Sequence, residues 1–405
     1  MTTQKGIWGA APSLRYEDLA ERFRPLFHNI RDGAVQRERD RALPFDQIRW
    51  LKDAGFGALR VPKEYGGDGA TLPELFALLA ELAEADSNLT QALRVHFAYN
   101  EDVLNSQNEA RRDRWFTRIV SGDLVGGAWT EIGDAKMAAF ATRVSRTDGC
   151  LTLNGTKYYT TGSIFADWIE VGAVNDVDEA VSAVVAAKAP GVNIVDDWDG
   201  FGQKLTASGT TTFSSVPVEP EHVVSGDLRF GYSPAFLQQV HHATLVGIAR
   251  AASADAAQAV AERRRTYSHA AGPCSSADPQ VLEVVGRVHS LTYAAGAVML
   301  KAAEALQRSF DQKVAGKTKE AANIAAEIES AQAQTTISAL VLEATAALFD
   351  ALGASATSQS KGFDRYWRNA RTVASHNPRI YKDRIVGEFV VNGTDPPFQW
   401  RIGQA

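Results

Sequence analysis

The chain contains 405 residues and carries a formal net charge of -6, from 42 Lys and Arg against 48 Asp and Glu. This length is enough for about two to three domains. The acidic balance argues against a nucleic-acid partner, because binding to a phosphate backbone requires a basic surface. Only two cysteines occur, Cys150 and Cys274, so the sequence predicts neither a disulfide framework nor a metal site.

The sequence shows no pattern of a targeting or membrane-spanning segment. The start reads MTTQKGIWGAAP and lacks a basic region followed by a long apolar run, and no window approaches about 18 uninterrupted apolar residues. We therefore expect a cytoplasmic protein without a membrane partner.

Three regions of different pattern follow one another along the chain. In residues 1–122, apolar residues recur every three or four positions, which predicts an N-terminal helical domain. Residues 123–228 contain short β-branched and aromatic runs with turns at Asp148-Gly149 and Asn154-Gly155, which predict a central β-domain. Residues 229–405 return to long alanine-rich stretches typical of a helix bundle. The predicted fold class is α+β, mainly α.

Four segments resemble motifs of the acyl-CoA dehydrogenase superfamily. Residues 61–70 read VPKEYGGDGA and resemble a loop of that superfamily, and residues 122–131 (GDLVGGAWTE) and 154–162 (NGTKYYTTG) resemble its two flavin strands. The tail at 362–393 is most similar to the flavin-dependent monooxygenase branch typified by dibenzothiophene monooxygenase. The resemblance spans nearly the whole chain and implies a central small β-barrel followed by a C-terminal four-helix bundle.

A dehydrogenase of this fold needs a carboxylate base that takes the proton α to a thioester carbonyl. The two positions that match the superfamily's base hold His376-Asn377 and His241-His242, and neither contains an acid. The sequence therefore favours an FMNH2-dependent two-component monooxygenase that works through a flavin C4a-(hydro)peroxide. An FAD-dependent acyl-CoA dehydrogenase, an amine or amino-sugar N-oxygenase and a flavin-binding scaffold without turnover remain alternatives.

The resemblance implies a catalytic group of two histidines and one hydroxyl. His96 matches a histidine of the last N-terminal helix, and His376 matches one in the C-terminal turn. Either imidazole can donate a hydrogen bond near neutral pH. Thr161 matches a hydroxyl at the N5/C4a edge of the flavin.

The resemblance also implies which residues bind the cofactor. Trp129, Thr130 and Tyr159 would contact the flavin ring together with Thr161, and Tyr159 and Thr161 share one face of their strand. The terminal phosphate of FMN would be held by two segments, one of which resembles a part that reaches the flavin of a neighbouring subunit. FAD is the alternative cofactor. The phosphate-binding candidates are Arg264, Arg265, Ser268, His269, Gly353 and Ser355.

Aromatic residues near these motifs predict the substrate. Phe97, Tyr99 and Trp198 would form an apolar pocket, which selects a flat aromatic or organosulfur small molecule. The expected partners are a separate flavin reductase, O2 and further copies of the chain in a homotetramer.

Overall fold

The computed structural model describes residues 8–132, 140–147, 149–226, 230–314 and 320–398. The predicted turn residue Asp148 lies outside these ranges. The helices are α1 (Tyr16–Arg31), α2 (Ala34–Asp40), α3 (Phe45–Asp53), α4 (Leu72–Ala92), α5 (Arg94–Asn105), α6 (Glu109–Val120), α7 (Ser233–Glu262), α8 (Pro279–Val314), α9 (Glu320–Leu352), α10 (Asp364–Ala374) and α11 (Lys382–Asn392). The strands are β1 (Val125–Ala128), β2 (Arg143–Thr147), β3 (Cys150–Lys157), β4 (Trp168–Val174), β5 (Ala180–Ala186), β6 (Val192–Val195), β7 (Thr210–Val218) and β8 (Val223–Ser225).

Helix α4 is the central helix of the N-terminal region. It begins with a capping box, in which the Thr71 hydroxyl accepts from the Glu74 backbone N–H and the Glu74 carboxylate accepts from that of Thr71. It packs against both α1 and α7, so apolar residues occupy most of its circumference. Near its end, Asp86 leaves the helical conformation at φ -155° and accepts hydrogen bonds from the backbone and side chain of Asn88. This break sets the direction of the last turn of α4.

The β-domain is one sheet curled around a single core. Its strand order is β6-β7-β3-β2-β4-β5-β8, and β1 pairs in parallel with β4. Inward-facing residues of β1 to β5 and β7 share that core, among them Leu153, Ile169 and Phe213. The terminal strands β6 and β8 are not paired with each other in the described part of the chain, so the predicted barrel is a curled sheet with open edges.

The C-terminal region is built on three long helices, α7, α8 and α9, and the short helices α10 and α11 occupy a fourth position against them. Helix α9 is long and apolar enough to cross a membrane by length and composition. In the fold it packs against α7, α8, α10 and α11, and this packing accounts for its apolar side chains. The fold class predicted from the sequence is confirmed.

The loop at 203–209 joins the three regions. The backbone N–H of Leu205 donates to Asn88 Oδ1 of α4 at 3.1 Å, and the backbone N–H of Gln203 donates to Asn369 Oδ1 of α10 at 2.6 Å. Gly162 lies so close to α4 that a Cβ there would stand 2.0 Å from the Ala92 carbonyl oxygen. The β-domain is therefore held directly against the end of α4 and against α10.

Candidate active site

Three hydroxyl groups form a hydrogen-bonded chain on the β-domain side of this junction. Thr161 Oγ1 lies 2.7 Å from Ser208 Oγ, and Ser208 Oγ lies 2.7 Å from Thr206 Oγ1. Thr206 donates to the Gln203 carbonyl at 3.0 Å, because a carbonyl oxygen can only accept. Ser208 must then donate to Thr206, and Thr161 to Ser208, so the Thr161 oxygen keeps its lone pairs as acceptors.

Tyr159 stands next to the hydroxyl chain with an open aromatic face. Its side chain is 45% exposed, which is unusual for an aromatic ring at a junction of three regions. Its outer edge meets Trp198 in a T-shaped contact with 5.8 Å between ring centroids. A flat exposed ring beside a hydroxyl acceptor fits one face and one edge of an isoalloxazine ring.

Polar side chains form the helical wall opposite. The rings of His241 in α7 and His376, after α10, contact each other at a tilt of 43°, with 4.3 Å between centroids. His241 Nδ1 lies 3.1 Å from Oε1 of Gln91, in the last turn of α4. Arg94, at the start of α5, donates from Nε to the Leu237 carbonyl of α7 at 3.2 Å.

The two walls face one another across the end of α4. Ala92, which contacts Gly162 on the β-domain side, lies between Gln91 and Arg94 in the chain. Thr161 and the paired histidines are thus brought to the same region, although 80 residues or more separate them in sequence. We call this region the cleft.

An amide occupies a position where a dehydrogenase would hold its base. Asn377 Nδ2 donates to Gln238 Oε1 at 2.7 Å, which leaves Asn377 Oδ1 as the acceptor for His376 Nδ1 at 3.2 Å. The Nδ1 proton of His376 is therefore held, and Nε2 is the nitrogen that can exchange a proton with a ligand. Neither partner is a carboxylate, so the pair differs from the carboxylate base of a dehydrogenase.

The pKa values of both cleft histidines are lowered from the usual value of an imidazole. Desolvation, the nearby His376 ring and the positive charge of Arg94 lower the pKa of His241 well below its usual value. Desolvation and Arg94 also lower the pKa of His376, even though part of its side chain stays accessible. A neutral imidazole can accept a proton as well as donate one.

The structure does not support a catalytic role for His96. Its ring is 1% exposed, with Nε2 2.9 Å from the Gly57 carbonyl and Nδ1 accepting from the Val125 backbone N–H at 3.2 Å. Burial lowers its pKa to about 4, so the ring is neutral and both nitrogens are occupied by backbone groups. His96 fixes α5 against β1 and is a positioning residue.

The predicted aromatic pocket is not formed. Phe97 is fully buried in the main core, where it contacts Phe56, and Tyr99 lies in a separate cluster against Trp115. Helix α5 presents both residues to its neighbours in the N-terminal region. Of the three predicted pocket residues, only Trp198 lies beside Tyr159.

The Trp129 and Thr130 segment aligns with the Tyr159 strand through its backbone, and the Trp129 side chain does not line the cleft. The Thr130 carbonyl accepts from the Tyr158 backbone N–H at 2.9 Å, which aligns this segment with the Tyr159 strand. The Trp129 indole packs over Gly172 and donates to Glu170 at 3.3 Å. The side chain therefore lies on β4 and stabilises the sheet.

The residues predicted to bind the phosphate form a second group at the other end of α7. Arg263 donates to the Leu352 carbonyl at 2.9 Å, and the Tyr267 hydroxyl would lie 3.2 Å from a Cβ at Gly353. These contacts bring the two predicted segments together. Their exposed side chains are Arg264, Arg265, Ser268, His269 and Ser355.

One flavin cannot reach both groups of the same chain. His241 and the end of α7 at Glu262 are 21 residues apart, or about 30 Å along the helix at 1.5 Å per residue. This is far beyond the reach of a ribityl phosphate chain. The predicted ring group and the predicted phosphate group of one chain are therefore too far apart to bind the same FMN.

Sequence reasoning missed Gln91, Arg94 and Gln238. A signal was present, because QQVHH at 238–242 places consecutive polar residues in a helix that is otherwise apolar. Four of these five positions, all but Val240, carry buried polar side chains. A buried helix face retains such side chains only where they have a partner or a ligand.

The order of helices, curled sheet and bundle, with Tyr159 and Thr161 on the flavin-strand motif, defines a flavoenzyme of the acyl-CoA dehydrogenase type. Sequence models agree: the acyl-CoA dehydrogenase N-terminal domain matches residues 17–123, and the C-terminal domain matches residues 239–378. The chain belongs to the acyl-CoA dehydrogenase family, in the branch that contains dibenzothiophene monooxygenase.

Individual relatives place the chain within that branch. Dibenzothiophene monooxygenase of Rhodococcus qingshengii is 30% identical over 395 residues, covering 92% of this chain and 93% of the relative. The probable FMNH2-dependent monooxygenase SfnC of Pseudomonas putida is 27% identical, and the match covers 92% of this chain and 94% of SfnC. The FMN-bound crystal structure of TdsC from Paenibacillus sp. A11-2 superposes with a TM-score of 0.87 at 28% identity, covering 95% of this chain and 99% of TdsC. The family and branch predicted from the sequence motifs are confirmed.

The residues of the cleft and of the second group fit FMN. Tyr159 offers an open ring face, Thr161 offers an acceptor, and the cluster of Arg264 and Arg265 offers charge for one phosphate group.

Proposed function

We propose that the chain is an FMNH2-dependent monooxygenase that transfers one oxygen atom from O2 to a small organosulfur compound, with reduced flavin delivered by a separate reductase. One observation carries the proposal: the cleft brings an open aromatic ring and a hydroxyl acceptor together with the paired histidines, with Asn377 where a base would stand. The names of the full-length relatives support the same reaction class.

When bound, reduced FMN supplies the two electrons needed to activate O2. Tyr159 packs against the flavin ring and orients it. The Thr161 oxygen is an acceptor, so it suits the N5–H of a reduced flavin rather than the O4 carbonyl. His376 holds its Nδ1 proton on Asn377 and exchanges a proton at Nε2 with the reacting oxygen.

Turnover with a reductase, NADH, FMN and 18O2 tests this proposal. We expect organosulfur products that contain one atom of 18O, detected by mass spectrometry. In a matched anaerobic experiment, acyl-CoA thioesters are expected to leave the bound flavin oxidised, because the cleft offers an amide instead of a carboxylate base. Rapid bleaching of the flavin by any acyl-CoA without O2 would overturn the proposal in favour of a dehydrogenase.

We also propose that the active form is a homo-oligomer, a tetramer, located in the cytoplasm. The separation of the two site halves along α7 supports assembly. The phosphate-binding residues of one copy must contact the flavin whose ring is bound by another copy. The cysteines Cys150 and Cys274, both free, agree with a reducing compartment.

Removal of both arginines tests the shared site. The Arg264→Ala/Arg265→Ala variant is expected to bind FMN at least about tenfold more weakly, because a charge-assisted contact to phosphate contributes about 1.5–3 kcal/mol. Its affinity for riboflavin, which lacks the phosphate, should stay unchanged. Fluorescence titration gives both affinities, and light scattering gives the assembly state. A monomer that binds FMN with full affinity would rule out the shared site.

A further inference from the structure

The turn that carries His376 is held from two sides by buried glutamines. Gln334 of α9 donates from Nε2 to the Asn377 carbonyl at 2.9 Å, and Gln238 of α7 accepts from Asn377 Nδ2 at 2.7 Å. Gln334 and Gln238 are only 2% and 5% exposed. The backbone of Asn377 is therefore fixed by one contact, and the direction of its side-chain amide depends on the other.

Packing alone does not decide which way this amide points. The oxygen and the nitrogen of an asparagine amide have nearly the same size, so a half-turn exchanges only an acceptor for a donor. In the structure, Nδ2 of Asn377 faces Gln238, and Oδ1 lies 3.2 Å from His376 Nδ1. The opposite direction would require Gln238 to donate instead of accept. The hydrogen-bonding polarity at position 238 thus selects the direction of the amide.

The direction of the amide in turn selects the tautomer of His376. A neutral imidazole carries one proton, and the nitrogen that faces an acceptor carries it. With Asn377 Oδ1 beside it, Nδ1 keeps the proton and Nε2 keeps a lone pair. With the amide nitrogen there, Nδ1 would accept a hydrogen bond and the proton would move to Nε2. A residue that never touches the ring can therefore decide which nitrogen accepts a proton.

We propose that Gln238 is a positioning residue, which acts through Asn377 to keep Nε2 of His376 as the proton acceptor of the cleft. This inference rests on the proposed monooxygenase function and assigns a further residue to the same site. Gln238 lies about one turn before His241 on α7, so one face of this helix contacts both residues of the 376–377 turn.

Nuclear magnetic resonance of the flavin-free protein tests this assignment without turnover. Histidine labelled with 13C and 15N reports which ring nitrogen carries the proton, and the signal missing from His376→Phe identifies His376. In the parent we expect the proton on Nδ1. Gln238→Met removes the acceptor without adding charge and should raise the share of the Nε2 tautomer by about tenfold. The carboxylate of Gln238→Glu can only accept, so this variant should keep the proton on Nδ1.

Gln334→Met is the matched control. It removes a buried glutamine from the same turn but leaves the hydrogen bond between Gln238 and the Asn377 side chain in place. We expect a lower melting temperature together with the parent tautomer of His376. In turnover under air, Gln238→Met should divert more reducing power into hydrogen peroxide than Gln334→Met does, and Gln238→Glu should restore coupling. A purely structural role of Gln238 would give the two methionine variants the same peroxide yield.

The outcomes separate this inference from the function on which it rests. A parent tautomer with the proton on Nε2, or an unchanged tautomer in Gln238→Met, would overturn the inference even if organosulfur compounds are oxygenated. An equal shift in Gln334→Met would also overturn it. The expected tautomers without oxygenation of any organosulfur compound would support the positioning role and contradict the monooxygenase. If Gln238→Met fails to fold, Gln238→Lys decides, because its ammonium can only donate and should move the proton to Nε2.

Discussion

Replacement of His376 by phenylalanine is expected to lower coupled product formation by about 10²-fold or more, with part of the reducing power lost as hydrogen peroxide. Phenylalanine keeps a ring in contact with His241 but removes the nitrogen that exchanges a proton. The side chain lies on a partly accessible turn, so the melting temperature should change little. Product and peroxide are measured together under air, with NADH consumption as the reference.

The matched variant His96→Leu should give the opposite result. It leaves the buried Val125 N–H unpaired, which costs about 1–3 kcal/mol of unfolding free energy, whereas the Gly57 carbonyl still accepts from Asn100 Nδ2 at 2.8 Å. The fraction that remains folded should keep its coupled turnover. Full coupling in His376→Phe, or a stable and inactive His96→Leu, would reverse the roles we assign to the two histidines.

Breaking the buried ion pair between Arg60 and Glu101 is expected to cause the largest loss of stability. Two contacts of 2.8 Å join the guanidinium to the carboxylate, and the side chains are 4% and 0% exposed. Tyr232 also donates to the carboxylate at 2.5 Å. Arg60→Met leaves a buried carboxylate without its counter-charge, so we expect a loss of about 3–5 kcal/mol in denaturant unfolding.

Two controls define this effect. The double variant Arg60→Met/Glu101→Leu removes both charges and should recover much of the loss. Arg22→Met removes an exposed partner of Asp68, where the two side chains are 47% and 21% exposed, and should cost less than about 1 kcal/mol. A similar small cost for Arg60→Met would show that water or a nearby group compensates the carboxylate.

The sequence alone determined the fold and the family branch. Helical periodicity, alternating strands and turn residues are local signals, and each element follows from side chains close to it in the chain. The flavin-strand motif also led to Tyr159 and Thr161, because the alternation of a strand places two residues on one face without knowledge of the rest of the protein.

Only the tertiary structure decided which polar residues meet. Periodicity shows that His96, Phe97 and Tyr99 lie on α5, but not which neighbour each face contacts. Gly57 and Val125 complete the hydrogen bonds of His96, and the core around Phe56 covers Phe97. Distant packing therefore turned three predicted site residues into structural ones.

The same physical reason explains how the helical wall of the cleft forms, including Gln91 and Arg94, which sequence reasoning missed. Gln91, Arg94 and His241 belong to different helices and approach His376 only because the β-domain loop holds α4 and α10 in place. Burial and positive charge then act on imidazoles that are more than 100 residues apart in the chain. A local pattern shows where a polar side chain can stand, whereas its charge environment is fixed by contacts between segments far apart in sequence.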